Sequence, residues 1–241
     1  MKNPKLILFL VLIMLVSSAC DVLQEISGEL DQGSTELSRE EIRAGLTEAL
    51  EIGIDRAVSD ASVKDGFYEN SRIYVPFPPA AQKVKETALD FGLDEQVETF
   101  EKTLNRAAEN AAANVKPIFM AALREMSIQE ARRILHGEEN AATQYFKSKT
   151  KSELQAICYP EIEKATNQVQ LTKYWEPMIK VYNKARIISG DPEINPDLNA
   201  YVTEKTIDGL FILIAEEEKQ IRENPQKRVT ELLKKVFGSV R

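Results

Sequence analysis

From residue 38 onward, apolar side chains recur at helical spacing along most of the chain. Ser38 and Glu41 stand at capping-box separation, and Ile42, Leu46, Ala49, Leu50, Gly53 and Ala57 then share one helical face. Gly45, Ala49, Gly53 and Ala57 also lie four apart, a groove of small residues that lets a second helix approach closely. The pattern breaks at Asp65-Gly66, a turn signal. Ile73-Tyr74-Val75-Pro76-Phe77-Pro78-Pro79 then reads as extended or polyproline-like, and its three prolines exclude a central strand. Packing across the helices competes with a solvent-facing role in docking a partner.

Helical spacing resumes over 80–91, with Gly92 as the stop. A long helix from Asp94 carries Val97, Phe100, Leu104, Ala107, Ala108 and Ala111, and Pro117 predicts a kink or restart before 118–126. Ser127 with Glu130 forms a second capping box, opening a helix that stops at His136-Gly137. Thr150 with Glu153 predicts a third start, followed by Leu154, Ile157, Cys158 and then Pro160. Helices follow over 172–188 and 197–223, separated by Ser189-Gly190-Asp191-Pro192 and Asn195-Pro196. Residues 210–215 are apolar all round, the mark of the most buried helix. Beyond Asn224-Pro225 a last amphipathic helix turns Val229, Leu232, Leu233, Val236 and Phe237 inward and ends at Gly238. The fold class read from this pattern is all-α: a single compact multi-helix domain over 38–241 with one short extended Pro-rich segment.

The N-terminus follows another pattern. Lys2 and Lys5 precede an unbroken apolar run over 6–16, and Ser17-Ser18-Ala19 places small residues before Cys20. A membrane-spanning helix needs roughly 20 apolar residues, and this run is shorter. The arrangement reads as a lipoprotein signal, 1–19, cleaved before a Cys20 whose thiol carries acyl chains such as palmitate; a plain secretory signal and an uncleaved anchor are the competing readings. Ser17 stands where such signals most often place leucine. Asp21 resembles an inner-membrane retention signal, and inner and outer membrane both stay open. Residues 20–37 are polar, with Gly28 and Gly33, and suit a lipidated N-terminus and flexible tether.

Cleavage before Cys20 would leave 222 residues and move the formal charge from -7 to -9. That balance argues against a nucleic-acid partner, since phosphate binding needs a basic face. With Cys20 acylated, Cys158 is the one remaining thiol and reads as a small buried hydrophobe. One histidine in the chain, His136, leaves di-iron bundle ligation and a histidine relay without ligands or base, and its place before Gly137 suits it to covering helix carbonyls. No metal or cofactor is expected. Asn105 and Glu109 stand one turn apart, Asp208 adjoins Gly209, and Glu218 and Arg222 have pairing distance along a helix. Such groups line a ligand cleft or form a buried network that locks helix register. Residues 225–241 carry +4 against -13 for the rest of the cleaved chain, so the last helix could also lie on an anionic membrane.

Taken in order, EIRAGLTEALEIGIDRAV, DGFYEN, NRAAENAA, ARRILHG, AATQYFKSKT, IDGLFILIAEEEKQIRENP and LLKKVFG resemble the bacterial domain-of-unknown-function family 4197, from about Glu40 to Gly238. The resemblance implies a small all-helical envelope protein, often made with an export or lipoprotein signal, and carries over no activity, cofactor or partner. The matching positions Asp65, Asn105, Arg106, Glu109, Thr143, Tyr145, Phe146, Asp208 and Arg222 become candidates for a shared polar site without assigned roles.

The expectation is an envelope lipoprotein facing the periplasm, held to the membrane through lipid on Cys20 and acting as a non-catalytic binding or structural module with an envelope protein as a possible partner. A lipid- or small-ligand-binding protein is the alternative, and it needs a long apolar cavity or an exposed face over 229–237. An enzyme is the second alternative. It needs Asn105, Arg106, Glu109 and Asp208 to converge in an open cleft.

Overall fold

The apolar stretch 210–215 lies in the helix that forms the axis of the fold. A computed structural model describes residues 38–168, 171–228 and 230–238. The signal-like segment, Cys20 and the tether lie outside the described residues, as does Val229. Nine α-helices run through the described residues: α1 (Arg39–Ser62), α2 (Gln82–Asp90), α3 (Asp94–Ala112), α4 (Lys116–Glu125), α5 (Ile128–Leu135), α6 (Ala141–Gln168), α7 (Leu171–Ser189), α8 (Leu198–Glu223) and α9 (Glu231–Gly238). No strand occurs among them.

The axial helix, α8, packs against α6, α1 and α3, while α7 lies on α2 and α3, and α9 on α1. Leu210, Phe211, Leu213 and Ile214 are buried, but Ile212 is 41% exposed, so 210–215 is not apolar-in on every side. The small-residue groove of α1 receives both neighbours. A Cβ on Gly45 would stand 2.7 Å from Val236 Cγ2 of α9, and one on Gly53 3.4 Å from Glu217 Cβ of α8. Leu233, Val236 and Phe237 of α9 are thereby buried, with Lys235 paired to Glu41 on α1. The exposed apolar face required by a membrane-lying last helix is absent at these described positions.

Two predicted breaks fail. Instead of starting a helix, Thr150 sits within the 28-residue α6, where its hydroxyl donates to the Phe146 carbonyl one turn back (2.7 Å). Ala142, Phe146, Thr150, Leu154, Cys158 and Ile162 form an unbroken buried row through the predicted start, and burial of that row outweighs the local capping signal. Pro160 is also interior to α6, as Pro177 is to α7. Each proline deprives the carbonyl four residues earlier of its donor. Those carbonyls belong to Ala156 and Lys173, both exposed, where water can take the place of the lost N–H.

Other signals hold. Gly92 ends the α2 segment at φ +74°, Pro117 lies in the first turn of the restarted α4, and Asp197 caps α8 by accepting from the Ala200 amide (2.9 Å). Ser127 and Glu130 form both halves of the expected capping box.

Candidate functional site

The candidate polar residues fall into two buried clusters and two outliers. The first cluster fixes residues 65–77 to α3. Asp65 takes a left-handed backbone (φ 69°), and Gly66 follows where a Cβ would stand 2.3 Å from the Asp60 carbonyl oxygen, so the Asp-Gly pair turns the chain sharply after α1. The turn delivers the Phe67 and Tyr68 amides to Glu109 Oε1, at 3.2 and 3.3 Å. Arg106 bridges Asp65 and Glu109, with its Nη1 2.5 Å from Glu109 Oε2.

One helical turn earlier, Asn105 Oδ1 accepts from the Val75 amide (2.8 Å), and its Nδ2 donates to the Val75 carbonyl (2.9 Å). Glu101, another turn back, accepts from the Phe77 amide (3.0 Å) and from Lys85 (2.8 Å). Glu101, Asn105 and Glu109 therefore make an acceptor ladder up one face of α3. The extended segment is paired to that ladder rather than to a strand, and its alternate residues Ile73, Val75 and Phe77 are buried. Glu101 was legible as the i−4 neighbour of Asn105, yet an isolated carboxylate beside Lys102 reads as ordinary surface.

The second cluster joins three helices through Glu218 of α8. Its Oε1 accepts from the Ala142 amide (2.9 Å), and its Oε2 from the amide and hydroxyl of Thr143 (2.9 and 2.8 Å). Glu218 thus serves as the N-terminal cap of α6 from outside that helix. Arg222, one turn on, donates to Glu218 Oε1 (2.8 Å) and to the carbonyls of Ile134 and Leu135, at 2.8 and 3.3 Å. The carbonyl end of α5 is accordingly covered by Arg222, not by His136, whose side chain makes no hydrogen bond among the described residues. Leu46, Ala49, Glu218 and Arg222 border a cavity of about 10 Å³, the size of a single water.

Tyr145 stands apart from both clusters: its hydroxyl donates to the Ala122 carbonyl (2.9 Å), tying α6 to α4, and burial raises its pKa, with Glu130 and Glu125 adding to the rise. Asp208 is half-buried beside Gly209, where a Cβ would meet Phe67 Cε1 at 2.8 Å. Its carboxylate makes no hydrogen bond or ion pair among the described residues. Asn105, Arg106 and Glu109 do come together but spend their donors and acceptors on the loop backbone and on one another, and Asp208 does not join them. An open catalytic cleft is not formed by these four. Burial pushes the Cys158 thiol up to about 12, consistent with a protonated core side chain. Among the described residues there is no cluster of three or more His, Cys, Asp or Glu suited to a metal ion, and no helix long and apolar enough to cross a membrane.

A family described as Protein of unknown function (DUF4197) matches residues 36–238. The chain belongs to this family. Neither the curated proteins nor the solved structures gave a match. Several of the phrases that carried the resemblance to the family hold parts of the two clusters: DGFYEN and NRAAENAA supply the turn, Asn105, Arg106 and Glu109, while AATQYFKSKT and IDGLFILIAEEEKQIREN supply the α6 amides, Glu218 and Arg222.

Proposed function

We propose that this family member is an envelope lipoprotein, anchored by lipid on Cys20 and facing the periplasm, whose helical domain acts as a non-catalytic binding or structural module. The observation that carries the reading is the N-terminal sequence: a cationic start, an apolar run too short to span a bilayer, and Ser17-Ser18-Ala19 directly before Cys20. The module part is supported by where the polar residues go. Asn105, Arg106, Glu109, Glu218 and Arg222 all hold backbone or one another, a use that stiffens the bundle and commits these five side chains to structure.

Cys20→Ala tests the anchor. The parent chain is expected to incorporate labelled palmitate, to lose residues 1–19 and to sediment with membranes, and the variant to take up no label and remain unprocessed. A variant that is labelled and cleaved like the parent would refute lipidation at Cys20.

A further inference from the structure

Outside both clusters, a recess of about 260 Å³ opens where the end of α6, the start of α7 and the first turn of α8 meet. Thr166 and Asn167 come from α6, Trp175 from α7, and Asn195, Asp197 and Asn199 from the approach to and first turn of α8. We infer that this recess binds one uncharged pyranose ring of a glycan, with Trp175 as its platform and the asparagine amides as its hydroxyl partners.

Four observations select that ligand class. The volume lies just under the roughly 300–1,000 Å³ of sites for larger small molecules, a scale suited to a single ring. Among the described residues that line it there is no lysine or arginine and one carboxylate, Asp197, which already accepts from the Ala200 amide, so an anionic ligand would meet a negative charge with no counter-ion there. The lining is rich in groups that both donate and accept. The Thr166 hydroxyl stands 3.0 Å from both the Glu163 carbonyl and Asn199 Oδ1, and neither Asn199 Nδ2 nor the side chains of Asn167 and Asn195 make a hydrogen bond among the described residues. A sugar hydroxyl is itself donor and acceptor, so adjacent hydroxyls match a side-chain amide, whereas an apolar ligand would strip these amides of water without return. Finally, Trp175 is half-buried, packed on Phe77 and Phe100 with ring centroids 6.2 and 5.5 Å away. That packing fixes the indole as a rigid apolar surface for the C–H face of a ring, with its N–H able to donate to an oxygen.

The inference extends the module reading to a ligand class and is independent of the anchor, because sugar binding and acylation are read by different measurements. Trp175 is the chain's one tryptophan, so its fluorescence reports on this recess without labelling. The purified full chain would be titrated with N-acetylglucosamine, its trimer and glucose, and with glucuronate as the anionic arm. A saturable spectral change with at least one neutral sugar is expected, with glucuronate about tenfold weaker or worse. Asn167→Ala combined with Asn195→Ala, both at exposed positions, is expected to keep the parent's melting curve and weaken binding about tenfold, the loss of roughly one good hydrogen bond. No saturable change with any neutral sugar, glucuronate binding as tightly as they do, or full affinity in the double variant would each overturn the assignment.

Discussion

Glu218 is, with Glu109, one of two carboxylates described above that each accept from two backbone amides. Its two oxygens serve two amides, a hydroxyl and a guanidinium, while the residue itself is only 4% exposed. Removing it leaves the first amides of α6 without acceptors and the Arg222 charge, half-buried, without its partner. Breaking a buried pair from one side costs about 3–5 kcal/mol, and Glu218→Ala is expected to fall in that range in urea denaturation at neutral pH. A loss below about 1 kcal/mol, the worth of one ordinary hydrogen bond, would mean that the cluster is not the fastening described here. The pairing of Glu218 with Arg222 was legible from four-residue spacing. Its true employer was not: nothing local to 218–222 announces that the amides of residues 142 and 143 lie across from it. The same limit applies to His136, where the sequence offered a plausible cap and a residue 86 positions away provides the real one.

At the scale of elements, sequence signals succeeded where a local interaction decides and failed where burial of a long face decides. The Ser127 box is of the first kind. Glu130 accepts from the Ser127 amide and hydroxyl (2.9 and 2.8 Å), and these bonds, joined by Lys149, lower its pKa to about 2. A carboxylate depressed in the folded state stabilises it above the unfolded value, and that contribution fades as pH falls from about 4.5 to about 2. Carboxyl-carbon NMR is expected to show Glu130 titrating near that lower value, and Ser127→Ala should move its midpoint upward toward the ordinary range. An ordinary midpoint in the parent chain would contradict the box. Thr150 and Glu153 stand at the same spacing, with a hydroxyl residue again in first place, yet the buried row through α6 runs past them. The two sites differ in the backbone before them: Met126 leaves the helix with an extended conformation (ψ 119°) ahead of Ser127, whereas the helix carrying buried Ala142 and Phe146 runs straight on through Thr150.

Across the whole molecule, residues 65–77 connect α1 to the faces of α3 and α8, with Phe67 and Ile73 seated against Gly209 and the amides on the α3 ladder. Because the loop adds no turn of helix, Asn105→Ala is expected to keep the helical circular dichroism while opening new proteolytic sites within 68–76. Loss of helix at the same protease exposure would show instead that the loop and the bundle are inseparable. The periodicities of the two partners explain why the pairing works at all. Two extended residues advance roughly 6.6 Å, and four helical residues about 6 Å, so Phe77 and Val75 fall in step with Glu101 and Asn105. Helix and extended chain are here commensurate, and side chains stand in for the neighbouring strand of a sheet. The segment gains strand-like order along its inner edge without a second strand, and its outer edge carries Pro76, which has no N–H to offer an incoming chain.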